Sequence, residues 1–322
     1  MYLFIKRTMP KIHVIVTTHT TRHLRRTLMG VASQWRKADS VTVTIDGDGA
    51  EIVELVRACS VEFGMQIRVV SRAHQGVCRS AQVRNNGARA AIAEASPDDV
   101  LIFYDGDCCP APEALERYER LFEGSNWWAG ARGKLSRAVE GDVPVVLVIG
   151  HWITLDRDQT EQFDERGLRQ GKWPARPSEE ELAKLPRRRA RYTRQLLMRK
   201  LGLAKGHKPK LASGNFGIRV SEFVAVNGFD ELYEGYGQED DDLGRRVYKH
   251  AGRVAIGVDQ CLVFHQWHPT RQPGAWETAP GVARFKRRYG VEAERGLKNP
   301  VTQPEPRVEA VGEGARAERR VG

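Results

Sequence analysis

Residues 98–110 read DDVLIFYDGDCCP, and the order of their chemistry decides the fold. Val100 to Tyr104 run apolar and aromatic without interruption, then give way to Asp105 and Asp107. A short apolar run of this kind is a strand buried on both faces, and the carboxylates mark where it meets solvent. The same design recurs upstream. KIHVIVTTHT (11–20) passes from β-branched residues to small polar ones, VTVTIDGDG (41–49) stops at Asp46, and QIRVVS (66–71) stops at Ser71. Amphipathic helical stretches lie between them: RHLRRTLMGVASQ (22–34), EIVELVRACSVEF (51–63) and SAQVRNNGARAAIAEA (80–95). PEALERYERLFEG (112–124) follows the fourth strand. Strands alternating with helices at this pace predict an α/β protein with a mostly parallel central sheet, flanked by helices through right-handed crossovers. Ligands of such sheets bind beyond the carboxyl ends of the strands. The residues there are Thr17, Thr18, Asp46, Ser71, Asp105 and Asp107.

The chain has 322 residues, 41% hydrophobic and 29% charged, which is enough to bury a sizeable core in one large domain or two small ones. No apolar run approaches the roughly 20 residues of a membrane span; the longest, VPVVLVIG from Val143, is strand-sized. MYLFIKRTMP at the start has too short an apolar core for a secretory signal. Five cysteines without a CxxC spacing give neither a disulfide framework nor a zinc site, so the expected setting is the reduced cytoplasm. The net charge is 51 − 41 = +10, and ten Lys or Arg without a single acid fall between Arg187 and Lys210. This is a neutral protein with a basic strip.

Past Gly124 the regular alternation loosens. Trp152 to Lys210 reads as a basic, Pro-interrupted insert, with one helix from Ser178 and a second near Arg191 to Leu201. Regular structure returns in SGNFGIRVSEFVAVNGFD (213–230), an acidic helix, and the strands RVAIG (253–257) and CLVFHQWHP (261–269). From Asn299 the composition is Pro-, Glu-, Arg- and Gly-rich and predicts a disordered tail. The expected division is 10–125 and 126–298, two halves of one domain with the insert at about 152–210, and a tail 299–322.

Four features carry chemistry. Two carboxylates one residue apart at a strand end, Asp105 and Asp107, can share a divalent cation that bridges a diphosphate. The other such run, from Asp46, has Arg57 where a calcium loop needs Glu, and fails that reading. GVCRSAQVRNNGARA (76–90) lacks both GxGxxG and the P-loop, which weakens a dinucleotide or NTPase reading. In GYGQEDDDLGRR (235–246), the acids Glu239 to Asp242 exceed what a helix dipole rewards, and glycines flank Tyr236 as for a close approach to a ligand. His265 stands at a strand end and His268, before Pro269, reads as a loop residue. The basic strip suits a nucleic acid, a phosphate or an anionic membrane surface, and equally a solvated loop; no helix-turn-helix, zinc-finger or RNA-recognition signature accompanies it.

In order along the chain, VIVTTHTTRHL, VTIDGD, VRNNGA, FYDGDC, SGNFGI, GFDELYEGYGQEDDDLGRR and FHQWHP resemble the GT-A glycosyltransferases of family 2, with a C-terminal half similar to the family 7 galactosyltransferase module. The resemblance implies an inverting, metal-dependent transfer of a sugar from a nucleotide-sugar, UDP-hexose or UDP-N-acetylhexosamine, to a glycan, lipid-linked or polysaccharide hydroxyl. It implies Thr17, Thr18, Asp46, Arg84, Asn85, Asp105 and Asn215 as donor-binding residues. Asp107, His265 and Asp105 become metal ligands for Mn2+ or Mg2+, Asp240 the catalytic base and Glu239 a clamp on sugar hydroxyls. At a helix N-terminus Asp240 is expected to have a lowered pKa. Asp-Gly-Asp in place of Asp-Asp, GYG in place of GWG and the basic insert depart from the pattern. The alternatives are a sugar nucleotidyltransferase, which would need a glycine-rich loop after the first strand, and a nucleic-acid-binding protein using 187–210.

Overall fold

A computed structural model describes residues 9–47, 49–124, 143–235, 237–250, 252–269 and 280–312. Strands β1 (Ile12–Thr18), β2 (Ser40–Asp46), β3 (Ile67–Arg72) and β4 (Val100–Asp105) lie side by side as β3-β2-β1-β4, all parallel. Register places Thr17 opposite both Thr44 and Asp105, and Asp46 opposite Arg72, so the polar strand ends share one rim. After β5 (Cys108–Pro110), the strands β6 (Val145–Ile149), β7 (His151–Thr154), β8 (Asn215–Arg219), β9 (Arg253–Ile256), β10 (Leu262–His265) and β11 (Arg307–Val311) follow. β8 pairs antiparallel with β4 and β6, β9 extends the sheet parallel to β6, and β11 closes the far edge. The result is an eight-stranded, mostly parallel sheet, as the alternation of elements predicts.

The helices α1 (Leu24–Ala32), α2 (Ala50–Phe63) and α4 (Ala114–Phe122) cover one face, where Leu24, Leu28, Val56, Leu115 and Tyr118 bury against Val14, Val16 and Val43. On the other face, α3 (Ser80–Ile92), α8 (Val220–Ala225) and α9 (Glu239–His250) pack on Ile15, Leu101 and Phe103. Phe103, Phe216, Phe223 and Phe229 cluster there, with Phe103 and Phe216 stacked at 4.8 Å. A small sheet of order β5-β10-β7 sets His265 opposite Cys108, directly after Asp107. That pairing brings residues 158 positions apart to one place.

Two expectations are corrected. The insert holds α5 (Arg157–Glu161), α6 (Glu165–Arg169) and one continuous helix, α7 (Glu179–Lys200), instead of one helix from Ser178 and a second near Arg191 to Leu201. Ser178 caps its start by accepting the Glu181 N–H at 3.2 Å. Pro186 removes one bond of the ladder, and the buried side chains of Leu185 and Tyr192 hold the helix down on either side of it. A last short helix, α10 (Pro280–Phe285), follows β10.

The second correction concerns the tail, which is structured through Gly312. Val301 N–H donates to Glu231 Oε2 at 2.9 Å, Gln303 and Asn86 exchange side-chain bonds at 2.9 Å, and Asn299 accepts from Asn227 at 2.8 Å. β11 then pairs with the exposed edge of β3. A segment too polar to make a core is ordered here by backbone pairing with an edge that needed covering. Residues 313–322 lie outside the described residues. A chain ending at Lys298 should lose on the order of 2–4 kcal/mol in urea unfolding. Unchanged stability would show that the pairing contributes nothing.

Candidate active site

The site starts at the rim of β1, β2 and β4. Thr18 folds back on its own loop, donating to the Thr20 carbonyl at 2.7 Å, while the buried Thr17 Oγ1 has no partner. Asp46 accepts from the Arg79 N–H at 3.2 Å and lies 3.0 Å from the Arg72 guanidinium and 3.3 Å from His74 Nδ1. Between Asp105 and Asp107, Gly106 donates to the Thr17 carbonyl at 2.8 Å and accepts from Thr27 Oγ1 at 2.9 Å. A Cβ at Gly106 would stand 2.7 Å from Thr18 Oγ1, which gives a physical reason for glycine within this Asp-x-Asp pair. The tight turn sends the two carboxylates in different directions.

Asp105 Oδ1 accepts from Arg84 at 2.8 Å, so it faces α3. Asp107 faces the small sheet: its Oδ2 lies 3.7 Å from His265 Nε2 and 3.1 Å from His268 Nε2. One ligand atom from each of Asp107, His265 and His268 falls within 4.8 Å of the others. Among the described residues this is the group with metal-ligand geometry, and it contains His268 in place of Asp105. The His-x-x-His spacing of FHQWHP was the available signal; the contact itself depends on the β10–β5 register. His23, whose Nε2 is 2.9 Å from the Trp267 carbonyl, stands beside it, its pKa lowered by burial despite that bond and the Asp107 charge.

The acidic run is reached through a turn of left-handed residues, Gly235 (φ 77°), Gly237 (φ 99°) and Gln238 (φ 76°). Gln238 accepts the Asp242 N–H at 2.9 Å and so begins α9. Tyr236, between the glycines, lies outside the described residues. Each of the four acids then meets a different partner. Glu239 accepts from Arg84 at 3.1 Å and Ser80 at 3.0 Å. Asp241 lies 3.3 Å from Lys210, and Asp242 accepts from Arg245 and Arg246 at 2.7 Å each. Asp240 accepts the Asp241 N–H at 2.7 Å, and no cation among the described residues pairs with it.

This division reverses the expected acidity. Burial, reinforced by the charges of Glu239 and Asp241, pushes the Asp240 carboxyl up to about 7. The helix N-terminus does not outweigh burial and two neighbouring acids. Arg84 is the hinge of the arrangement: 5% exposed, it spans Asp105 and Glu239 and its charge opposes Asp240's raised pKa.

Two residues carried over from the motifs stand behind the cleft. Asn85 is fully buried, donating to the Phe229 carbonyl and to Glu231 at 2.9 Å each. Asn215 is fully buried, accepting from the Tyr118 hydroxyl at 2.7 Å and donating to the carbonyls of His151 and Cys261. Their amides are hydrogen-bonded within the scaffold, whereas the resemblance implies a donor contact for both. Removing the guanidinium by Arg84→Met leaves Glu239 buried without a countercharge and the part-exposed Asp105 without its partner, and should cost about 3–5 kcal/mol in denaturant unfolding. A loss below about 1 kcal/mol would mean that the bridge is not what holds the cleft.

Residues 10–142 match the family profile described as glycosyltransferase like family 2, and residues 199–259 match the profile described as the N-terminal domain of galactosyltransferase. No curated protein matches the sequence. Among solved structures, GalNAc-T7 with UDP, GalNAc and Mn2+ aligns with a TM-score of 0.51 at 16% identity, over 87% of this chain and 48% of that one. S. aureus TarS, residues 1–349, aligns with a TM-score of 0.45 at 13% identity, over 80% of this chain and 60% of that one. The chain thus spans 48% and 60% of the lengths of these two proteins. One profile covers β1 to β4 and the other β8 to β9, strands of a single sheet, so the chain carries a glycosyltransferase family 2-like region and a galactosyltransferase-like region within an overall fold that GalNAc-T7 shares.

Proposed function

We propose that the protein is an inverting, metal-dependent transferase that moves a hexose or N-acetylhexosamine from a UDP-sugar to a hydroxyl of a glycan or lipid-linked acceptor. The observation that carries this reading is the isolation of Asp240. Glu239, Asp241 and Asp242 are each bound to cations, and Asp240 alone is left to take a proton. A carboxylate with a pKa near neutrality is a better base than an ordinary aspartate at the same pH.

In the proposed step the acceptor hydroxyl gives its proton to an Asp240 carboxylate oxygen as its own oxygen bonds to the anomeric carbon. The bond from that carbon to the diphosphate oxygen breaks, and UDP departs with the electron pair. One base and one displacement invert the anomeric configuration. Glu239, fixed by Arg84 and Ser80, is placed to accept hydroxyls of the bound sugar. Thr17, Thr18 and Asp46 line the nucleotide side of the rim.

The donor set of Asp107, His265 and His268 fits a divalent ion. One carboxylate with two imidazoles suits Mn2+ better than Mg2+, which favours all-oxygen shells. Asp107, His265 and His268 would hold it, and when bound it supplies positive charge against the diphosphate. Asp105, given as a ligand by the resemblance, is committed to Arg84 instead and acts by orienting that guanidinium. The structure lends no observation to the nucleotidyltransferase or nucleic-acid readings. Among the described residues no helix is long and apolar enough to cross a membrane.

UDP release from a panel of UDP-sugars, with and without Mn2+, tests the reading. One donor should be turned over in a metal-dependent way, and Asp107→Ala and His268→Ala should each lower the rate by about 10²-fold or more. Full activity without metal, or an unaffected His268→Ala, would remove the proposed metal site.

A further inference from the structure

The cleft leaves one acid of α9 half explained. Asp241 is 3% exposed; its Oδ2 lies 3.3 Å from Lys210 Nζ, and its buried Oδ1 has no hydrogen-bond partner. The chain that faces it, residues 201–210, is built in place. Arg199 donates to the carbonyls of Lys205 at 3.0 Å, Gly206 at 2.7 Å and Lys208 at 2.8 Å, and its guanidinium lies 4.5 Å from the Tyr248 ring centroid. The Tyr248 hydroxyl in turn donates to the Pro209 carbonyl at 2.6 Å. His207 packs edge-on against Phe285 at 5.4 Å, and Leu211 is buried beside α9. With its backbone pinned by α7 and α9, the loop holds its lysines at the first turn of α9, one residue from Asp240.

The charge held there is unbalanced. Among the described residues, Lys210 and Lys208 face the Asp241 carboxylate, and Lys205 and, from α7, Arg191 stand near enough to Lys208 to act on its charge. Burial lowers the pKa of the Lys208 ammonium, and the charges of Lys210, Arg191 and Lys205 lower it further, although Asp241 opposes them. His207 is lowered by burial and by the same lysines. Cations held this close repel one another, and an anion that enters among them relieves that repulsion. Lys205 and Lys210 remain exposed to receive one.

We propose that Arg191, Lys205, Lys208 and Lys210 form a subsite for an anionic group, a phosphate or a carboxylate, carried by the acceptor close to the hydroxyl that is glycosylated. Asp241 Oδ1 accepts a second hydroxyl of that acceptor. The assignment rests on Asp240 as the base, because it is the distance from Asp240 that makes this an acceptor subsite. A neutral glycan gains nothing from the four cations, so the acceptor is a phosphate-bearing or acidic saccharide.

The test titrates inorganic tripolyphosphate, and separately trigalacturonate, into metal-free protein by calorimetry. The variants are R191Q/K208Q, K208Q alone, and R187Q/R189Q, which removes the same charge outside the subsite. Wild type should bind at least one probe saturably. R191Q/K208Q should bind it at least tenfold more weakly and K208Q should fall between, while R187Q/R189Q keeps the wild-type affinity. Tripolyphosphate binding alone names phosphate as the group, and trigalacturonate binding alone names carboxylate. No saturable binding of either probe, or equal weakening in both double variants, would overturn the proposal. UDP with Mn2+ is titrated into the same wild-type sample. Its failure to bind would strike at the transferase reading separately.

Discussion

The buried guanidinium of Arg84 is the contact on which the site depends. It reaches Asp105 at the end of β4 and Glu239 at the start of α9, joining the polar rim of the sheet to the helix that carries Asp240. Both contacts are charge-assisted, and the one to Glu239 is almost free of solvent while the Asp105 side chain is 34% exposed, so they fix geometry as well as lower energy. The spacing between the Asp107 cluster and Asp240 is set through this one side chain. Phe229, whose ring lies 5.6 Å from the guanidinium, adds a second restraint from GFDE.

A run of four acids is tolerable because the cations come from separate places. Arg84 arrives from α3, Lys210 from the pinned loop, and Arg245 and Arg246 from the next turn of α9 itself. Three acids are neutralised and the fourth is not, and the packing that buries the other three also desolvates Asp240. The raised pKa is therefore a product of burial first, and of the charges of Glu239 and Asp241 beside it. A helix N-terminus alone would have lowered it.

How much of this could be read in the sequence follows from the range of each interaction. Strand ends were legible because an apolar run that stops at Asp46 or Asp105 announces both burial and exposure within a few residues. The start of α9 was legible for the same reason. The allocation of its acids was not, since Glu239 finds Arg84 at a separation of 155 residues. His268 was read as a loop residue, and it is one; only the pairing of β10 with β5 brings it to Asp107. Asn85 and Asn215 match motifs, and their amides bond within the scaffold, a partner choice that motif spacing does not encode. β11 was invisible because its order comes from the β3 edge and not from its own composition.

The central claim is that Asp240 is the base because it alone lacks a countercharge, and the pH dependence of kcat/KM for UDP release in wild type and Asp240→Asn tests it most directly. The wild-type profile should rise through a pH of about 7. Asp240→Asn should fall by about 10²–10⁴-fold, without that rise and with UDP binding in the presence of Mn2+ unchanged. A variant that keeps activity within a few-fold of wild type, with the same ascending limb, would show that the proton goes elsewhere.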